Sequence, residues 1–356
     1  AMKNITKKIT RISTVLTASI LSAALPLTAL AAQNSPDDNT YQPKDVQTVD
    51  YKKSLTPEFA YSAEKWATLR DNIMEYGELA NLVHEYNPTV ISNRSTYKDQ
   101  KNKNLNDIYD DYMKDIDDIW DQADNADNDV TWASLRYSAG LLTKQADNNY
   151  EDADMEKIQY DQQEAKLVYQ AQEMMVSLKQ SAYNLENLQS TRELLQKQYE
   201  AAQAQLSVGM ATQTDVLTAL KRVQDQDNAI LTAQKSQENV HRNLCLMLGW
   251  SADAQPEIKE VPQPDLSRID TLDPNADAQI AIDNNYDVKY YTKKAGNLAS
   301  QDLIESNQAT LANAKDTAVR SLKTQYNTVL TTRDALNAAK AQLQVAEANL
   351  NIAQAN

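Results

Sequence analysis

Glycine, cysteine, phenylalanine and histidine are scarce in this chain of 356 residues, which has 5, 1, 1 and 2 of them. A single cysteine, Cys245, excludes an intrachain disulfide bond. The two histidines, His84 and His241, lie far apart in sequence, whereas a zinc site needs several converging ligands. The low glycine content, together with abundant alanine, glutamine, leucine and asparagine, suits long helices and fits poorly with a sheet-rich domain.

The arrangements that carry catalysis are also missing. No Ser-His-Asp arrangement, glycine-rich phosphate loop or paired-carboxylate cleft stands out. Cys245 lies between Leu244 and Leu246, which is typical of a small buried apolar residue. We therefore expect no enzyme activity, no cofactor and no bound metal.

Positive charge is in short supply, with 35 Lys and Arg against 50 Asp and Glu and a net charge of −15. Residues 1–31 have the form of a secretory signal peptide, with basic residues, an apolar stretch and a final Ala29-Leu30-Ala31; a retained anchor is the alternative. The basic residues of this segment are Lys3, Lys7, Lys8 and Arg11, so its removal makes the protein still more acidic. The signal-peptide pattern predicts an exported protein. Because an acidic surface repels nucleic acid, we expect no nucleic-acid partner.

Two uninterrupted heptad patterns flank Gly209 and predict the central element of the chain, a helical hairpin from Tyr160 to Val208 and from Thr212 to Leu248. The 3-4 spacing of both patterns is that of a coiled-coil seam. In the first arm the two rows are Leu178, Leu185, Arg192, Tyr199, Leu206 and Ser181, Leu188, Leu195, Ala202. In the second arm they are Val216, Val223, Ile230, Gln237, Leu244 and Leu220, Asp227, Gln234, His241, Leu248.

The turn between the arms has the residues that a tight helix–helix connection needs. Gly209 can adopt the left-handed conformation that ends a helix. Thr212 can cap the next helix, with Asp215 in its first turn. The first arm should extend roughly 70 Å, at ~1.5 Å per residue.

The last stretch of the chain repeats the first arm. At one constant offset the two rows of the first arm fall on Leu322, Val329, Leu336, Leu343, Leu350 and on Gln325, Thr332, Ala339, Ala346. A kept heptad register favours duplication over chance. The alignment reaches the second tip at Asn356, so a second returning arm either lies beyond this sequence or is replaced by something else.

The remaining segments complete the predicted organisation. A flexible leader covers residues 32–57, and the first repeat covers 58–250, where Trp66, Leu69, Ile73 and Met74 form the buried side of its first helix. A proline-rich linker covers 251–275, and the second repeat, truncated at its tip, covers 276–356.

The first repeat contains an acidic helical insertion over residues 105–158. Apolar residues recur at helical spacing inside it, so we interpret the acidic residues as a solvated helix face. The alternative, a calcium site, lacks calcium-loop spacing, a turn glycine and a closing glutamate. A loop is expected over 121–131 and a second helix from Trp132 onward. The acidic residues are Asp107, Asp110, Asp111, Asp115, Asp117, Asp118, Asp121, Asp124, Asp127 and Asp129.

Three sequence features together resemble the TolC family of efflux and secretion channels. These are Glu85-Tyr86-Asn87-Pro88, the tip string from Val208-Gly209 to Thr214-Asp215-Val216-Leu217, and Leu246-Met247-Leu248-Gly249 before the second copy. The resemblance implies an all-α fold of long antiparallel coiled-coil hairpins, a TolC-like α-barrel element with an internal repeat, and a homotrimer. It also implies that Val208, Gly209, Met210, Ala211 and Thr212 form a tip that docks a membrane-fusion adaptor protein, linked to an inner-membrane pump of the ABC type.

The chain departs from that family at the positions of the membrane strands. Membrane strands require segments of alternating apolar and polar residues. The acidic helical insertion occupies this position in the first repeat, and in the second repeat Asp287 to Asp302 runs directly into the next helix. We therefore expect a TolC-like protein of the cell envelope that lacks these strands, and its insertion in an outer membrane is doubtful.

The second row of the returning arm is polar where a dry seam would be apolar. Asp227, Gln234 and His241 could line a water-filled conduit, or they could be a solvent-exposed seam or a polar layer that sets register. The preferred function is a conduit of an efflux or secretion system. The alternative is a cell-envelope coiled-coil scaffold without transport activity.

Overall fold

The computed structural model describes residues 61–148 and 150–355, and this part of the chain is mostly helical. The predicted signal peptide and leader lie outside the described residues. None of the helices formed by the described residues combines the length and the apolar character needed to cross a membrane. The helices are α1 (Ala63–Leu69), α2 (Leu79–Tyr86), α3 (Pro88–Gln100), α4 (Leu105–Asp124), α5 (Asp129–Asn148), α6 (Ala153–Ser207), α7 (Gln213–Met247), α8 (Ala278–Asn284), α9 (Tyr286–Lys294) and α10 (Gln301–Ala355).

Two short strands, β1 (Ile73–Met74) and β2 (Glu257–Ile258), pair in parallel. The prediction that Ile73 and Met74 continue the first helix is wrong, because α1 ends at Leu69. The Asp71 carboxylate then accepts a hydrogen bond from the Ile73 N–H at 2.9 Å, which favours an extended chain. β2 arises from the segment predicted as a linker, so this segment fastens the base of the molecule as well as connecting the repeats.

Two long helices lie where the arms of the hairpin were predicted, with small changes in their bounds. α6 begins at Ala153, inside the predicted insertion, because the Asp152 side chain caps it by accepting a hydrogen bond from the Met155 N–H. α6 and α7 pack along their length and are joined at Gly209. At ~1.5 Å per residue, the 55 residues of α6 extend about 80 Å.

The burial along α6 and α7 corrects one predicted row. All members of both α6 rows and of the first α7 row are buried or half-buried. In the second α7 row, Asp227 and Gln234 are exposed. The residues that precede them, Gln226 and Ala233, are half-buried instead. The predicted row is therefore displaced by one residue in its middle, to Gln226 and Ala233, whereas its other members, Leu220, His241 and Leu248, are half-buried or buried. Gln226 is accommodated there because its amide donates to the Leu188 carbonyl at 2.9 Å.

A base core lies where α1, α2 and the ends of α6 and α7 meet. Its largest buried side chains include Leu69, Met74, Leu244 and Trp250. Two of the sequence motifs meet in this core. Gly249 takes a φ of 88° and lies against Tyr86, and the Asn87 side chain donates to the Met247 carbonyl at 2.9 Å. The side-chain oxygen of Asn87 caps α3 by accepting a hydrogen bond from the Thr89 N–H.

The second repeat has a corner like that of the first. α8 and α9 meet at Asn285, whose φ and ψ of −71° and 127° are close to the −70° and 123° of Asn87 between α2 and α3. Each asparagine caps the following helix, Asn285 by accepting from the Val288 N–H at 3.0 Å. α10 has the same length as α6, 55 residues. The two corners are alike in their backbone and capping, while the duplication inferred from the heptads stays a prediction.

The acidic insertion forms a separate helical hairpin, α4–α5. Ile116 and Ile119 of α4 pack against Leu135, Ala139 and Leu142 of α5 in a small core of their own. The predicted loop over 121–131 is too long, because α4 continues to Asp124 and α5 begins at Asp129. Within the described residues, no group of three His, Cys, Asp or Glu could hold a metal ion.

Replacing Gly249 by alanine should destabilise the protein by about 2 kcal/mol or more. The added Cβ would meet the Tyr86 Cβ at 2.6 Å, and alanine disfavours a positive φ. Thermal unfolding followed by circular dichroism measures the effect. Gly77→Ala is the matched control, since a Cβ there meets nothing within 4 Å; equal losses in the two variants would contradict the packing described.

The one-residue displacement of the α7 row can be tested with adjacent substitutions. Ala233→Glu places a carboxylate in the half-buried row against α6 and should lower the free energy of unfolding by about 1–3 kcal/mol. Gln234→Glu adds the same charge at an exposed position and should change it by less than about 0.5 kcal/mol. Chemical denaturation measures both, and the reverse order would restore the row expected from the sequence.

Candidate functional site: the hairpin tip and the groove at its base

The tip of the α6–α7 hairpin is a turn fixed by its own backbone. The Met210 N–H donates to the Gln205 carbonyl at 2.8 Å and the Gly209 N–H to the Leu206 carbonyl at 3.0 Å. These two bonds, together with a left-handed residue directly after the end of the helix, form a Schellman motif. Gly209 supplies the required positive φ of 76°.

The start of α7 is closed by a reciprocal cap. The Thr212 hydroxyl accepts from the Asp215 N–H at 3.2 Å, and the Asp215 carboxylate accepts from the Thr212 N–H at 2.8 Å. The bond from the Thr212 N–H first, and a second bond that the Thr212 hydroxyl donates to the same carboxylate at 2.7 Å, hold the pKa of Asp215 below its usual value. Both sides of the turn are therefore ordered by local bonds without any help from a second element.

This rigid turn carries apolar side chains into solvent. Val208 and Met210 are 68% and 79% exposed, while Ala211 is half-buried. Two exposed apolar side chains on a pre-ordered backbone can contact another protein with little loss of conformational entropy. Val208, Gly209, Met210, Ala211 and Thr212, the predicted tip residues, lie together at the end of the hairpin farthest from the base core.

The three predicted conduit residues all lie along α7, but in different surroundings. Asp227 is exposed and accepts from the Arg192 guanidinium at 3.0 Å, a surface pair worth about 0–1 kcal/mol. Gln234 is exposed. His241 is half-buried at the wall of a groove near the base. Their role as conduit lining stays a prediction.

The groove has a volume of about 990 Å³ and lies between α6, α7 and residues 252–261. Its apolar side is formed by Met175, Leu178 and Ile258. An ion pair between Lys179 and Glu260 links α6 to the segment that follows β2. This groove was not predicted from the sequence, because residues 252–261 were expected to be part of an extended linker.

His241 and Cys245 are adjacent on the inner side of α7. The Cys245 sulfur lies 3.9 Å from His241 Nδ1. Burial lowers the pKa of His241 and raises the pKa of the Cys245 thiol to about 12. A protonated thiol is a poor nucleophile and a poor metal ligand, so the buried Cys245 acts as a small apolar side chain.

A buried charged cluster beside the base core was also missed from the sequence. Glu85 is completely buried, and its carboxylate lies 3.8 Å from the Arg94 guanidinium. Burial first, and the charge of Glu85 second, raise the pKa of Tyr61 to about 12. His84 lies 2.7 Å from the Glu164 carboxylate and ties α2 to α6. These residues fix the position from which the long hairpin begins.

Comparison with known proteins adds nothing to this description. No family model matches the chain, and no curated protein or solved structure matches it. The resemblance to the TolC family therefore depends on the sequence motifs alone and stays a prediction.

The stability of the protein should decrease on acidification partly through His241. The folded state lowers the pKa of His241, so it favours the neutral imidazole. The contribution of neutral His241 to the free energy of unfolding is therefore complete above the unfolded pKa of about 6.5, and it is lost as the pH falls through the folded pKa. We expect His241→Gln to lose less stability than the wild type between about pH 7.5 and about pH 5.5. Urea unfolding at both pH values measures this, and an equal loss in both proteins would contradict it.

Proposed function

We propose that this protein is a non-enzymatic helical component of an efflux or secretion assembly, related in design to the TolC channels. Its long coiled-coil hairpins would line a conduit, and its tip would dock a membrane-fusion adaptor that is linked to an inner-membrane pump of the ABC type. One observation carries the proposal: α10 has two uncovered apolar rows on opposite sides.

The first uncovered row is the one that repeats the α6 seam. Along α6 this row is covered by α7, but along the distal part of α10 no described residue covers it. Its members include Leu336, Leu343 and Leu350, all of which are exposed. A helix with such a row is stable when another helix covers it.

The second row lies on the other side of the same helix. It consists of Ala338, Ala341, Val345, Ala348 and Ile352, all exposed. At about 100° per residue, Val345 lies about 200° around the helix from Leu343. Leu343 and Val345 are 58% and 61% exposed. A single partner helix in a hairpin can cover only one of these rows.

A helix with two opposite apolar rows fits a layer in which each helix has a neighbour on both sides. Closing such a layer on itself gives a hollow barrel of helices, and a trimer is the closed form that the resemblance implies. The same helix in a scaffold of isolated hairpins would leave one row in water, which costs about 25 cal/mol per Å² of apolar surface left uncovered. This consideration favours the conduit over the envelope scaffold, which remains the second candidate.

The tip supports the adaptor part of the proposal. It is rigid, apolar and exposed, and it lies at the far end of an arm about 80 Å long. Such a position suits contact with a partner at a distance from the base core. Asp227, Gln234 and His241 would face the lumen or its entrance in the assembled form.

The α10 rows give a prediction about assembly. Leu343→Asp and Val345→Asp should each dissociate the oligomer, since each puts a carboxylate into one of the two rows. Gln344→Asp is the matched control, because the residue between them lies on neither row. Sedimentation velocity measures the mass. If Val345→Asp leaves the oligomer intact while Leu343→Asp dissociates it, only one face is covered and the scaffold is favoured.

The adaptor contact can be tested by crosslinking in the cell. A photoreactive residue in place of Met210, which is exposed at the tip, should give an adduct that mass spectrometry identifies as a membrane-fusion adaptor. The same residue in place of Asp225, exposed on the side of α7, should not capture it. Adaptor adducts from Asp225 but not from Met210 would place the contact elsewhere and overturn this part of the proposal.

A further inference from the structure

The α4–α5 hairpin has an outer face that neither the tip nor the α10 rows explain. α5 buries Leu135, Ala139, Leu142 and Ala146 against α4. Tyr137 lies two residues from both Leu135 and Ala139, so at about 100° per residue it points away from α4. The apolar residues that share its side of α5 form a row at helical spacing, Val130, Ala133, Tyr137 and Leu141.

The side chains of this outer row are in solvent. Val130 and Tyr137 are 80% and 70% exposed, and Leu141 is exposed as well. Gly140 lies beside the row, and a Cβ added there would meet nothing within 4 Å. A glycine inside a helix costs about 1 kcal/mol relative to alanine, and here it leaves room for a close approach of another backbone.

The row is held on a rigid support. The Arg136 guanidinium lies over two indole rings, 4.5 Å from the centre of Trp120 and 4.8 Å from that of Trp132. Since Trp120 is on α4 and Trp132 on α5, this cation–π sandwich fastens the two helices to each other. The outer row is therefore ordered before any partner binds, and its side chains remain exposed.

The negative charge of the α4–α5 hairpin favours a positively charged partner. Asp124, Asp127 and Asp129 lie exposed at the tip beside Val130, and residues 105–148 together have 11 aspartates against three basic residues, of which Lys144 lies at the other end of the outer row. A second copy of the hairpin would bring the same acidic tip and the same acidic helix, so self-association works against charge. A positively charged partner gains attraction over a Debye length of about 8 Å at physiological salt.

We propose that the outer row of α5 is a docking surface for an amphipathic helix of another protein, one whose apolar stripe is flanked by lysine or arginine. The apolar stripe covers Val130, Tyr137 and Leu141, and the basic residues lie against the acidic tip. This is the helix-in-groove form of recognition, with anchors at helical spacing. The surface is separate from the long hairpin, so it does not depend on the conduit proposal.

The test uses the full chain and a synthetic probe. The probe is a fluorescent helical peptide with leucines at helical spacing and flanking lysines, and the comparison peptide has the same composition in scrambled order. Fluorescence anisotropy gives the dissociation constants. We expect the amphipathic peptide to bind the wild type at least about tenfold more tightly than the scrambled one, a difference of about 1.4 kcal/mol.

Two variants locate the binding. Tyr137→Glu should weaken binding of the amphipathic peptide about tenfold, because it removes the central anchor and adds a carboxylate to the apolar row. Tyr169→Glu is the matched control, the same exchange at a tyrosine of α6 that is 60% exposed, and it should leave binding unchanged. Rising salt should weaken binding of both peptides.

The remaining outcomes overturn the proposal. Equal affinity for the two peptides would mean that charge alone attracts them. Unchanged binding in Tyr137→Glu would mean that the peptide binds elsewhere, for example along α10. Self-association that Tyr137→Glu abolishes would identify a second copy as the occupant. None of these results would bear on the adaptor adduct or on the mass of the oligomer, which test the conduit.

Discussion

The rest of the structure depends on one contact at the base, where the end of α7 meets the corner between α2 and α3. Gly249 lies directly against Tyr86, and Asn87 bonds both to the Met247 carbonyl and to the first turn of α3. A side chain at position 249 would separate these segments. The contact lies at the end of α7, whose 35 residues extend about 50 Å from the base core to the tip, so a small change of direction at the contact would move the tip far.

Burial differs between parts of the described chain. The base core holds the largest cluster of buried side chains, the α6–α7 seam is mostly half-buried, and the distal part of α10 is exposed on all sides. Contiguous exposed apolar rows of this kind are common at interaction surfaces. The outer row of α5 shows the same property on a smaller scale. The described chain therefore combines a packed base core with exposed apolar rows on α10 and α5.

Much of this architecture follows from the sequence, and the failures have physical reasons. The heptads and Gly209 predict the hairpin because apolar period and turn chemistry are local properties. Only the middle of the second α7 row was misassigned, at Asp227 and Gln234, because Asp227 and the neighbouring Gln226 are both polar and composition could not choose between them. β1 and β2 were missed because a two-residue strand has no period and depends on a distant partner. The groove and the Glu85–Arg94 pair are likewise products of tertiary packing.

The central claim is that other helices cover both rows of α10, and the mass of the wild-type chain in solution tests it most directly. Multi-angle light scattering should give a closed oligomer of fixed stoichiometry, a trimer if the resemblance to TolC holds. The mass should not increase further with concentration once the closed oligomer has formed. A monomer at every concentration would contradict the account, since the rows of Leu343 and Val345 would then remain in water with no helix to cover them.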